Sequence, residues 1–282
     1  MKRIFNSWLL LAIFLMGSYF QAKAKEILLP SELKAKAWVL KKENPQGLWE
    51  KTLIVKLESE RKVLSTNDGY LSASLIINHS AHPEIWKKVC IEKKTEKEAG
   101  GKVYIREVKK GIAEDLKVDE KKIAMMATAA NMDNLAVVTE SFITSKGIKV
   151  MVTALVTAGA ESNALRTGLD KGRYLEGEMV DPGTVNILLL TNLTLTESAL
   201  ARAIITITEA KTAAFQDLKV PSSYTKEVIA TGTGTDSVII VSGTEPPLIT
   251  YAGGHSKLGE LIGKAVYKAV KIALCKQNGF CE

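Results

Sequence analysis

The chain has 282 residues, 46% of them apolar, enough to bury a full core in one large domain or two small ones. Its formal charge of +7 falls to +4 once Lys2, Arg3 and Lys23, which lie in a segment read below as an export signal, are set aside. That balance is mild, lysines and glutamates are interspersed, and no basic run carries aromatics, so a nucleic-acid partner is disfavoured.

Met1-Lys-Arg is basic, Trp8 to Phe20 is almost wholly apolar, and Ala22-Lys-Ala24 offers small residues for cleavage. That is the order of a secretory signal over residues 1–24, with the cut expected after Ala24. The apolar run is short of the ~20 residues a spanning helix needs. No later stretch is long and apolar enough to span, so the remainder, 25–282, is expected to be exported, in the periplasm, without stable membrane insertion. An uncleaved anchor is the competing reading.

From Lys25 to about Asn44 charge is mixed and periodicity weak. Trp49–Lys56, Arg61–Ser65 and Ser72–Asn78 read as strands, with Asn67-Asp-Gly69 as turn chemistry. Lys93–Lys102 reads as a solvated loop or frayed helix end, and Val103–Leu116 as helix-compatible but interrupted at Gly111. Ile123–Ala130 reads as a buried strand. Leu135–Thr144 and Ile148–Thr157, joined by Ser145-Lys-Gly147, suggest an antiparallel hairpin. After a loop over Thr167–Pro182 comes a strand, Thr184–Leu193.

Thr196 is a fair N-cap for a helix whose apolar positions from Leu200 to Leu218 fall at helical spacing. Val238–Ser242 reads as a short strand, and Leu258 to Leu274 as the apolar face of a last helix. These elements predict an α/β fold: a mixed sheet with antiparallel pairs, packed by at least two long helices, in a single layered domain. Cys275 and Cys281 lie close enough to staple the tail in an oxidising compartment, leaving Cys90 alone.

Chemistry-bearing residues concentrate between Asp181 and His255. In Ala230-Thr-Gly-Thr-Gly-Thr-Asp236, Gly232 and Gly234 can bring backbone N–H groups close to an anion or amide oxygen, Thr233 and Thr235 add hydroxyls, and Asp236 adds a carboxylate. A tight turn would account for the same pattern, which is neither a P-loop nor a dinucleotide fingerprint. Gly253-Gly-His-Ser-Lys257 places His255 and Lys257 at a helix N-terminus, where negative charge is favoured and a lysine is not. Asn163 and Arg166 sit in the loop after a buried strand. Glu209 is either an exposed-face charge or a site acid. His79, at a strand end, is a second site candidate, but His79-Ser-Ala-His82 is poor spacing for a metal, and no metal ligand is assigned.

The blocks Thr157-Ala-Gly159, Gly183-Thr-Val-Asn-Ile-Leu-Leu-Leu-Thr-Asn192, Ala201–Ala214, Ala230–Asp236 and Gly253–Ile262 resemble, in order and separation, the adenosylcobinamide amidohydrolases, the CbiZ family. The likeness spans roughly residues 50–272. It implies hydrolysis of the amide joining aminopropanol to the corrin ring's propionate arm, with cobyric acid as product for cobalamin salvage. The corrinoid is the small-molecule partner, its cobalt arrives with it, and no separate cofactor is expected. The family brings no settled catalytic set, so residue chemistry supplies the assignments. Asp236 or Glu209 is expected as base and His255 as acid/base partner. The Gly232–Thr235 backbone and Lys257 are expected to stabilise the oxyanion, and Asn163 and Arg166 to hold corrin amide arms. An export signal on such a chain points to a substrate lacking the adenosyl ligand. The alternative is an exported corrinoid-binding protein feeding a transport system without catalysis.

Overall fold

The computed structural model describes residues 23–95, 98–172 and 183–282. The apolar run of the expected export signal, and part of the loop before Gly183, lie outside the described residues.

The strands are β1 (Lys23–Ile27), β2 (Ala35–Glu43), β3 (Trp49–Ser65), β4 (Gly69–Ala81), β5 (Ile123–Thr128), β6 (Ala136–Ile143), β7 (Lys149–Ala158), β8 (Ala164–Leu165), β9 (Val185–Thr191), β10 (Leu193–Leu195), β11 (Gly232–Thr233), β12 (Ser237–Val241) and β13 (Glu245–Ile249). The helices are α1 (Pro83–Glu92), α2 (Gly100–Leu116), α3 (Glu197–Asp217) and α4 (Lys257–Asn278). One mixed sheet runs β1-β2-β3-β12-β9-β7-β6, with β4 beside β3 and β5 beside β4. The β4/β5 and β9/β12 pairs are parallel. Each is joined through helices, as a parallel pair requires.

The single 17-residue strand β3 replaces the two short strands expected from Trp49–Lys56 and Arg61–Ser65. Its register with β4 shifts between Lys56 and Arg61. Beyond that irregularity Val63–Ser65 pairs with β12, so the sheet curls over on itself. Leu53, Val55, Ile76 and Met126 thereby pack against Leu155, Leu188, Leu190 and Ile239 in the interior of the curl. Outside it, α2 covers Ile54, Leu75, Ile77 and Met125. On the other outer face α3 and α4 cover alternate residues of β7, β9 and β12. Both faces of β7 and β9 are therefore buried, which is why these strands read as continuous apolar runs.

Among the elements that escape the sequence reading are β1, β2 and α1. β2 and its partner β1 lie in the stretch of weak periodicity: of β2 only Ala37 is buried, and lysines cover its outer positions. In α1 only Val89 is buried, so no apolar stripe announces it. Its signals are local, with Pro83 in the first turn and His82 Nδ1 accepting from Glu84 N at 3.1 Å. Gly111 does not interrupt α2, and Thr196 caps α3 as expected, its hydroxyl accepting from Ala199 N.

Candidate active site

The loop Ala230–Asp236 lies at the N-terminal ends of the parallel strands β9 and β12, closed on one side by α3. Gly232 and Thr233 form a short ladder with Leu165 and Ala164. Thr212 Oγ1 and Gln216 Nε2, on the last turns of α3, donate to the carbonyls of Thr231 and Ala230 at 3.1 and 2.9 Å. The glycine loop is thus fixed from both sides.

Asp236 is its hub. Its Oδ1 accepts from Val185 N at 3.0 Å and from the Thr233 hydroxyl, and its Oδ2 accepts from Lys211 Nζ. Thr233 N lies 3.1 Å from both oxygens. Lys211 and Asp236 form an ion pair whose side chains are only 12% and 15% exposed. Each side chain offsets the desolvation cost of the other, which either charge would carry alone.

Asn163 is fully buried behind the loop. Its Nδ2 donates to Gly183 O (2.9 Å) and Thr235 Oγ1 (3.3 Å), its Oδ1 accepts from Tyr224 Oη (2.9 Å), and its backbone carbonyl accepts from Gly234 N (3.1 Å). From the rim a polar chain runs inward. Thr184 Oγ1 donates to Thr235 O, Asn186 Nδ2 donates to Asn78 Oδ1, and Asn78 Nδ2 donates to Thr157 Oγ1. Gly234 and Thr235 themselves are exposed.

The structure therefore gathers Asp236, Gly232, Thr233, Gly234, Thr235 and Asn163 into one cluster. Arg166 flanks it, with its Nη1 donating to Ile229 O at 3.2 Å. The remaining expected site residues are elsewhere, each for a physical reason. Glu209 is exposed on α3. Two residues apart on a helix diverge by about 200°, so Glu209 points away as Lys211 points in.

His255 is exposed in the turn ahead of α4. The other end of that helix carries Asn278, whose Oδ1 accepts from Ala160 N, and neighbouring Gly159 N donates to Thr184 O, beside Asp236. Twenty-two helical residues extend about 33 Å, so His255 and Asp236 do not meet. Lys257, expected to await an anion, bonds Glu260 and lies over the Phe142 ring at 4.5 Å. Glu260 in the first turn offsets the unfavourable lysine.

His79 is also no part of the cluster. It faces α2, 2% exposed, with Nδ1 2.9 Å from Thr52 Oγ1 and Nε2 2.9 Å from Tyr104 Oη, which donates to Glu50. Since the Tyr104 proton goes to Glu50, His79 carries its own on Nε2 and accepts from Thr52. Burial pushes its pKa down to about 4, keeping it neutral. Burial, then the Glu50 carboxylate, raises the Tyr104 hydroxyl far above its ordinary value.

Lys211 and Tyr224 are the members of the cluster that sequence reasoning missed. Lys211 carried one signal, as a cation inside the alanine-rich Ala201–Ala214 block.

The sequence profile of the adenosylcobinamide amidohydrolase family matches residues 39–282, and so contains the whole cluster. An uncharacterized protein of Methanocaldococcus jannaschii is 43% identical over 241 residues, covering 81% of this chain and 87% of that one. An adenosylcobinamide amidohydrolase of Methanosarcina mazei is 32% identical over 158 residues, covering 53% of this chain and 64% of its own. The crystal structure of the PH0078 protein from Pyrococcus horikoshii aligns over 90% of this chain and 84% of its own, with a TM-score of 0.42 and 12% identity.

Proposed function

Because the chain belongs to the adenosylcobinamide amidohydrolase family, we propose that it hydrolyses the amide between aminopropanol and a corrin propionate arm, releasing cobyric acid. The observation that carries this reading is the largely enclosed Lys211–Asp236 pair, set beside a hydroxyl in a glycine loop whose Gly234–Thr235 turn is exposed. Amide hydrolysis needs a group to take a proton, a cation or amides to steady the oxyanion, and a proton for the departing amine. Asp236 serves as base. Lys211 takes the acid role first expected of His255, because it is the ammonium in contact with Asp236.

A corrin is broad and largely apolar, and an apolar rim suits it. Leu169 is 58% exposed on the loop that Thr167 N ties to Thr231 Oγ1 at 3.0 Å, and it supplies such a surface. Asn163 has its amide committed internally, so Arg166 and the exposed Gly234–Thr235 turn are the groups left to meet the corrin's amide arms.

Export is part of the same proposal. It is supported by the basic and apolar start of the sequence and by the Cys275–Cys281 disulfide, a bond characteristic of oxidising compartments. Outside the cytoplasm the incoming corrinoid lacks an ATP-derived adenosyl ligand, so cobinamide itself is the expected substrate.

Incubating the purified protein with cobinamide and following masses tests the reaction. Free aminopropanol and cobyric acid are expected. Tight corrinoid binding without aminopropanol would replace the enzyme with a carrier that delivers its ligand to a transport system.

A further inference from the structure

Resting on that amidohydrolase reading, we infer that the nucleophile is the Thr233 hydroxyl and that the reaction passes through an acyl ester on this residue. The hydroxyls around the loop differ in where their protons point. Thr231 donates to Leu165 O, Thr235 to Gly183 O and Thr212 to Thr231 O, all neutral carbonyls that cannot accept a proton outright. Thr233 donates to the Asp236 carboxylate, which can. The opposite oxygen of that carboxylate holds the Lys211 ammonium. Hydroxyl, carboxylate and ammonium are thus linked in order, drawn from β11, the residue just before β12, and α3.

This is the arrangement by which weak hydroxyl nucleophiles are activated, a base in contact with the oxygen and a third group in contact with the base. Thr233 itself is 8% exposed, next to the exposed Gly234 and Thr235. Gly232, on its other side, lets the ends of the Lys211 and Asp236 side chains pack against bare backbone.

In the acylation step Thr233 Oγ bonds to the amide carbonyl carbon and its proton moves to Asp236. The C–N bond then breaks, the amine leaves with a proton from Lys211, and Lys211 recovers that proton from Asp236. In the second step water adds to the ester carbon and gives a proton to Asp236. The ester C–O bond breaks, and Asp236 passes that proton to Thr233 Oγ, which restores the resting site. One water is consumed, and one acid and one amine are released.

The test is hydroxylamine trapping on the wild-type protein with cobinamide, with Thr233→Ser and Thr233→Val assayed beside it. Corrinoid hydroxamate is expected to form at the expense of cobyric acid, and the peptide containing Thr233 is expected to carry the corrinoid acyl mass after an acid quench. Thr233→Ser should keep activity within about 10-fold, and Thr233→Val should lose at least ~1,000-fold in kcat. Aminopropanol release with no hydroxamate, no acyl peptide and an active Thr233→Val protein would overturn the nucleophile and leave the amidohydrolase standing. Absence of aminopropanol release by wild type would instead overturn the amidohydrolase reading.

Discussion

Gly232 stands where any side chain would collide with the ion pair between Lys211 and Asp236. A Cβ built on Gly232 comes well inside van der Waals contact of both Asp236 Oδ2 and Lys211 Nζ. The residue is glycine here for want of space. Gly232→Ala is therefore expected to push Lys211 off the carboxylate and to abolish corrinoid hydrolysis. The circular dichroism spectrum should remain native. Normal kcat in a folded Gly232→Ala protein would show that the ion pair is not part of the chemistry.

The same pair predicts a non-additive effect on stability. Asp236→Leu alone strands a largely enclosed ammonium, and Lys211→Met alone strands a largely enclosed carboxylate, each at a cost of about 2–4 kcal/mol, somewhat below that of a fully buried pair. The double substitution removes both charges and should be more stable than either single variant, though inactive. Urea denaturation of the four proteins gives the coupling. Simple additivity of the two losses would mean that water, not each partner, neutralises these charges.

His79 sets a pH dependence whose direction is fixed by its burial. Its folded pKa near 4 lies below the 6.5 of a free imidazole. Above pH 6.5 both states are neutral and this contribution is fully present. As pH falls from 6.5 to about 4 the unfolded chain takes up a proton that the folded protein refuses, and stability declines by about 3 kcal/mol. His79→Gln should decline less than wild type over that window. Parallel curves for the two proteins would assign the acid sensitivity to other groups.

Cys275 and Cys281 are bonded, closing a six-residue separation at the end of α4, and Cys90 is free. So short a loop removes little entropy from the unfolded chain, and Cys281→Ser is expected to cost ~2 kcal/mol. Denatured, unreduced protein should show one titratable thiol. Three thiols in protein recovered under oxidising conditions would eliminate the staple.

Much of this architecture could be read from the sequence because its core strands are continuous apolar runs and its late helices carry a regular apolar period. Thr196–Leu218 and Leu258–Leu274 announce α3 and α4 by their apolar spacing, and the hairpin Leu135–Thr157 appears as β6 and β7. What escaped was whatever the interior does not sort, such as the lysine-covered β2 and the nearly unburied α1. For the site, the glycine loop and Asn163 were legible as local clusters. The contact of Lys211 with Asp236 was not, since 25 residues separate them. Nor was the separation of His255 from Asp236, since only the placement of α4 decides which end of a long helix meets the sheet.

The curl of the sheet leaves β5 paired with β4 alone, and its outward backbone groups are met by side chains instead of a neighbouring strand. Asp68 accepts from Met125 N at 2.9 Å, Asn67 donates to Met125 O at 3.2 Å, and Asn186 donates to Ala127 O at 3.0 Å. A foreign peptide seeking to zip onto this border finds its donors and acceptors already occupied. Self-association by cross-chain ladder growth is thereby blocked there without a proline, by one carboxylate and two side-chain amides that hold the strand's own polar groups.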